Sequence, residues 1–271
     1  MTLIQSNFRA NVRFILCIDS VILSVLSIRC KRGKYMSDLY FIRHGQASFG
    51  KGEYDKISET GDIQSGLLAQ YLHDSGIIFD SVYSGTLERH RHTAKHFISY
   101  YAEKKLPPPE LKLIEELNEY NSKEIIRHYL PVVLKEEPSL SAHLENIYTD
   151  KKAFQKIFDA IMLRMVSGYY HFPDLETWAC FSGKVTATVK KIMADNGRNK
   201  KIIIFTSGGP ISAVIQLALG TSDEITMRLG WQMVNTSITR FKYDDERTTL
   251  HSFNNYPHLE NVRHSGLITF R

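Results

Sequence analysis

The amino-acid sequence predicts an α/β fold, a three-layer sandwich with a mainly parallel sheet and a helical insertion. Two observations point to it. Residues 39–42 (LYFI) and 201–206 (KIIIFT) are short, continuous apolar runs, as expected of strands covered on both faces. Segments of helical periodicity alternate with such runs, at 62–74, 87–103, 151–166 and 178–194.

Residues 1–35 precede this pattern. Their apolar stretch, 14–28, is shorter than a bilayer-spanning helix and carries Asp19. It runs into RCKRGK with no small-x-small cleavage site. This leader is read either as upstream sequence admitted by an early start codon or as a membrane-surface anchor. Residues 36–271 are expected to form one domain. Its first strand, 39–42, leads to the helix at 62–74, and a further strand at 80–83 leads to the helix at 87–103. Pro107, Pro108 and Pro109 then make a rigid break. From about 110 to 175, helices without strong strands, bounded by Pro138 and Pro173, form the expected insertion. After the second apolar strand comes the helical ISAVIQLAL. Residues 237–243 and 248–253 flank an Asp-Asp-Glu-Arg turn and read as a hairpin.

With 43% hydrophobic and 23% charged residues in 271, the composition is that of a globular chain and excludes disorder, collagen and coiled coil. The net charge of +5 is confined to the leader, where six basic residues face Asp19 alone, so the rest of the chain is neutral and has no bias toward nucleic acid. Cys17 and Cys30 lie in the leader and Cys180 is alone thereafter. The main body therefore has no internal disulfide and no cysteine zinc site, and a reducing, cytoplasmic setting is expected. A membrane partner enters only through the leader.

In parallel sheets ligands gather at the carboxyl ends of strands. Arg43-His44-Gly45-Gln46 follows the first apolar strand and places a cation beside an imidazole. Ser207-Gly208-Gly209-Pro210 follows the second and opens a helix, whose first N–H groups suit an anion. Ser84-Gly85-Thr86-Leu87-Glu88-Arg89 begins a third strand-to-helix turn. Two arginines, a histidine and helix starts describe a phosphate pocket with a nucleophile in it.

The segments LYFIRHGQASFG (39–50), SETGDIQSGLLAQYL (58–72), SGTLERHRHTA (84–94) and IIIFTSGGPISAVIQLALG (202–220) together resemble the histidine phosphatase superfamily, in its phosphoglycerate-mutase-like branch. The resemblance implies that His44 attacks a phosphomonoester and carries a phosphohistidine, that Arg43 and Arg89 hold the phosphoryl oxygens, and that a carboxylate of the inserted region protonates the leaving group. Glu119 in LNEYN is favoured for that role over Glu115 and Glu116. Gln46, Ser207 and Gly208 are expected to contact substrate. The residue types suit the chemistry, because guanidinium groups both bind a dianion and disfavour a protonated imidazole beside them. The scheme calls for no metal and no cofactor. The expected partner is a small-molecule or protein phosphomonoester.

The chain departs from the family pattern at Ser207, where a second histidine is expected, at Gly50, where an asparagine is expected, and after Glu119, where Trp-Glu-Gly is replaced by YNSKEII. A slow enzyme is expected as a result, with Ser207→His raising turnover if the pocket has room. The alternatives are a noncatalytic phospholigand binder and a phosphoglycerate-mutase-type phosphotransferase. A serine-hydrolase reading, with Ser207 as nucleophile and His251 or His258 as base, lacks the glycine two residues earlier that the strained turn needs, since Phe205 is there. His90, His92 and His96 read as a polar helix face, because no acidic or cysteine ligand beside them completes a metal set.

Overall fold

The computed structural model describes residues 36–48, 55–145, 150–260, 262 and 266–270. The leader at 1–35 and Gly50 lie outside them. Six strands, β1 (Ser37–Arg43), β2 (Ser81–Ser84), β3 (Leu111–Leu113), β4 (Lys201–Thr206), β5 (Ile238–Tyr243) and β6 (Thr248–Asn255), form one sheet in the order β3-β2-β4-β1-β5-β6. β1, β2, β3 and β4 pair in parallel, and the hairpin β5–β6 closes the β1 side antiparallel.

Alternation along the two central strands explains the layers. Leu39, Phe41, Ile202 and Ile204 point to one face and Tyr40, Ile42, Ile203 and Phe205 to the other, and all eight are buried. The second face is covered by α1 (Glu59–Asp74) and α2 (Glu88–Glu103) through Leu68, Leu72, Ala94 and Phe97. The first is covered by α3 (Ser122–Glu136), α4 (Lys151–Ser167), α5 (Trp178–Asn196), α6 (Gly208–Leu219) and α7 (Asp223–Gly230), and a short α8 (Pro257–Glu260) follows the hairpin. This is the expected three-layer sandwich. Burial on both faces is why β1 and β4 read as unbroken apolar runs.

Two details differ from expectation. The stretch read as lacking strands contains β3, a three-residue edge strand, LKL, with two of its side chains exposed. So short an edge has no apolar run to announce it, and only pairing with β2 makes it a strand. α1 starts three residues before its apolar periodicity, because Ser58 caps it by accepting the Gly61 N–H. Among the described residues no helix is long and apolar enough to cross a membrane.

Register positions the site. Arg43 pairs with Thr206 and Ser84 with Phe205, so the chain leaves β1, β4 and β2 at nearly the same level. His44, Ser207 and Gly85 therefore emerge side by side from three adjacent strands.

Candidate active site

A cavity of about 670 Å³ opens over these strand ends. Arg43, His44, Arg89, Glu119 and Gly208 line it. Gln46 and Ser207 do not: the Gln46 amide oxygen accepts from the Ser58 hydroxyl at 2.9 Å, and Ser207 is fully buried behind the wall. Glu115 and Glu116 are exposed on a short 3-10 turn and stay off the lining.

His44 follows β1 directly, and its N–H continues the ladder to the Thr206 carbonyl at 2.9 Å. Its Nδ1 lies 2.8 Å from the Gly45 carbonyl oxygen, an acceptor only. Nδ1 must therefore carry the proton, which leaves the lone pair on Nε2. Burial is the largest effect holding His44 well below the usual imidazole range, and Arg89, His90 and Arg43 push the same way. His44 is 8% exposed as a residue, and its ring is neutral at pH 7. Gly45 must be glycine here, since a Cβ would stand 2.7 Å from the Gly61 carbonyl oxygen.

Arg43 ends β1 and donates to the Met233 carbonyl. Arg89, in the first turn of α2, is buried and donates to Asp55 at 2.8 Å. The other Asp55 oxygen accepts the Glu88 N–H, also at 2.8 Å. Asp55 lines the cavity and was not among the sequence candidates, since nothing local marks it.

Glu119 is pinned through its neighbours. Leu117 is buried in the core, and its carbonyl accepts from the Thr206 hydroxyl. Asn118 accepts the Thr86 N–H at 2.8 Å, tying the loop to the start of α2. The Glu119 carboxylate itself receives the Gly209 N–H on both oxygens at 3.1 Å. Burial holds its pKa above the usual carboxylate range, opposed by the Gly209 N–H and by Arg89 and Arg43. Gly209 makes this approach possible, because a Cβ there would lie 2.0 Å from a Glu119 oxygen.

The three helix histidines do not share one face. His90 is fully buried, its Nε2 2.6 Å from the Ser207 hydroxyl and its ring 5.6 Å from that of His44. Its Nδ1 makes no well-formed hydrogen bond; the Asn118 side chain nearby favours the charged ring, but burial and Arg89 hold its pKa well below normal. The position was legible: 90, 94, 97 and 101 form the buried stripe of α2, and His90 heads it. The same contact answers the question of room at 207, since an imidazole there would meet His90. Ser207 makes no helix-capping bond and sits in ordinary extended backbone, without the strained turn of a serine nucleophile. Neither base suggested for it partners it: His258 bonds to Thr236 at 2.9 Å and His251 is exposed on β6. His92 and His96 do lie on the outer face of α2, but an acidic residue, Asp62 of α1, faces both.

The cavity is also lined by Tyr120, Phe154, Phe158, Met227, Trp231 and Phe270, and by the exposed Lys56 and Lys123. The Trp231 indole N–H is buried without a hydrogen-bond partner among the described residues.

The model of the histidine phosphatase superfamily (branch 1) matches residues 39–133 and 149–256. No curated protein matches the chain significantly. Among solved structures, phosphoserine phosphatase from Entamoeba histolytica in complex with 3-phosphoglyceric acid is 22% identical, with TM-score 0.57, over 82% of this chain and 99% of that one. Phosphoglycerate mutase from Bacillus anthracis str. Sterne is 23% identical, with TM-score 0.56, over 83% and 96%. Mycobacterial glucosyl-3-phosphoglycerate phosphatase is 18% identical, with TM-score 0.55, over 81% and 99%. At these identities the likeness is one of fold.

Three buried histidines set a stability prediction. His44 and His90 are held well below 6.5 and His258 at about 3, chiefly by burial, whereas the unfolded chain binds these protons near 6.5. Below about pH 6.5 the unfolded state therefore takes up more protons than the folded one, and stability falls as pH falls. The thermal midpoint should decline progressively from there toward pH 3, and His258→Asn should flatten part of the slope. A midpoint unchanged down to pH 5 would contradict it.

Proposed function

Since the chain belongs to the histidine phosphatase superfamily (branch 1), we propose that it hydrolyses a phosphomonoester through a phosphohistidine on His44, as a phosphatase rather than a mutase. The observation that carries this reading is a neutral imidazole with its Nε2 lone pair free, flanked by two arginines in one cavity. The Nε2 lone pair attacks phosphorus as the P–O bond to the alcohol breaks. Arg43 and Arg89 hold the phosphoryl oxygens, and the charge that develops on them is what guanidinium groups stabilise. Glu119, kept protonated more readily by burial, gives its proton to the departing alkoxide. Water then attacks phosphorus, gives that proton back to Glu119 and breaks the P–N bond. Phosphate leaves and His44 is neutral again, with Nδ1–H still on Gly45.

The apolar wall supports a substrate whose alcohol is bulky and largely apolar, with Lys56 and Lys123 meeting any further negative charge. His90 acts as a positioning residue. Bonded to Ser207 and beside the His44 ring, it brings from α2 an imidazole that the family pattern places after β4. Residues 36–271 form the catalytic unit in this reading, with residues 1–35 a leader outside it. An exposed Cys180 fits a reducing, cytoplasmic setting.

Rapid quench with a panel of phosphomonoesters should leave acid-labile, base-stable phosphate on His44, with turnover insensitive to chelator and highest for aryl-bearing alcohols. Wild-type turnover in His44→Ala would end the mechanism; tight phosphate binding with no turnover on any ester would leave a binder instead. Glu119→Gln should slow alkyl phosphates far more than activated aryl phosphates, because only the former need a proton. Equal losses would move the acid elsewhere.

Ser207→His should lower turnover rather than raise it, because His90 occupies the space. His90→Ala/Ser207→His should recover activity relative to either single variant, with a coupling of about 0.5–3 kcal/mol as contacting residues show. Additive losses would show that the two positions do not exchange one imidazole between them.

A further inference from the structure

A second cluster of chemistry lies outside the cavity, on the outer surface where α1 packs against α2. His92 and His96 are one helical turn apart on α2, their rings stacked at 5.5 Å and 16°. Both aim Nε2 at the same oxygen of Asp62, His96 at 2.9 Å and His92 at 3.5 Å. The three ligand atoms lie within 4.8 Å of one another. We propose that Asp62, His92 and His96 bind a divalent transition-metal ion, with zinc as the best fit, clasping α1 to α2.

Geometry supports the ion. Tetrahedral zinc with bonds of about 2.0–2.1 Å spaces its ligand atoms roughly 3.3 Å apart. The His92 distance already matches, and the His96 distance needs to open by only a few tenths of an ångström. Two imidazoles and one carboxylate favour zinc and its neighbours over magnesium or calcium, which prefer oxygen ligands alone. Access is open. All three side chains are between three and five tenths exposed, and they line a groove of about 350 Å³. Gly66, one turn beyond Asp62 on α1, faces the groove with nothing within 4 Å of where its Cβ would be. That leaves room for water as a fourth ligand. On binding, each Nε2 offers a lone pair, so the ion takes over from the His96–Asp62 hydrogen bond and the looser His92–Asp62 contact that now join the two helices.

None of these residues lines the cavity of His44, so the site can be tested by binding rather than by turnover. Zinc sulfate titrated into the full chain against a chromogenic chelator should show one equivalent bound, with a thermal midpoint raised by roughly 2 °C or more. Asp62→Asn and His96→Gln should each weaken binding at least about tenfold, the cost of losing even an outer partner of a metal ligand. His44→Ala and Cys180→Ser should bind as the parent does. No bound equivalent, unchanged affinity in Asp62→Asn and His96→Gln, or loss of binding in His44→Ala or Cys180→Ser would each overturn the proposal and leave the cluster as a polar contact between helices.

Discussion

An imidazole kept uncharged beside two permanent cations governs the arrangement of this molecule's polar end. Arg43 adjoins His44 in the chain, and Arg89 reaches it from α2, so a protonated ring would face two like charges in a buried setting. In the proposed reaction the same three groups attract a phosphate dianion without competition from a proton. The surrounding structure keeps this combination in place. The Gly45 carbonyl fixes the tautomer, the Thr206 carbonyl holds the His44 backbone, and Asp55 orients Arg89 by taking one of its donors.

The Glu119 carboxyl is controlled by a different balance. Glu119 sits on a loop whose preceding residues are tied to β4 and to the start of α2, while its carboxylate meets the first turn of α6. Enclosure raises its affinity for a proton, and the N–H groups and arginines lower it. The loop draws on three separate elements of the fold for this, and so its place depends on the sheet register rather than on local sequence.

That dependence separates what was legible from what was not. β1, β4 and the alternation of helices with strands were readable because burial on both faces leaves an apolar run that no other element of that length shows. The strand-end turns holding Arg43, His44, Arg89 and the Ser207 segment followed from the same rule. β3 was not readable, since a three-residue edge strand owes its conformation to its neighbour. Asp55 and Asp62 were not readable as partners of Arg89 and of His92 and His96, because both contacts span 30 or more residues. His90 was readable and was missed: grouping it with His92 and His96 by residue type concealed that it shares a stripe with Ala94, Phe97 and Tyr101.

The contact between Gly209 and Glu119 constrains how this chain can change over time. With 2.0 Å between a would-be Cβ and the carboxylate, a side chain at 209 and an acid at 119 exclude each other unless the helix or the loop moves. A lineage that acquires even alanine at 209 must first relocate this buried carboxylate, and a lineage that loses the glutamate is released from the glycine. The two positions form a single heritable unit, although 90 residues separate them in the chain.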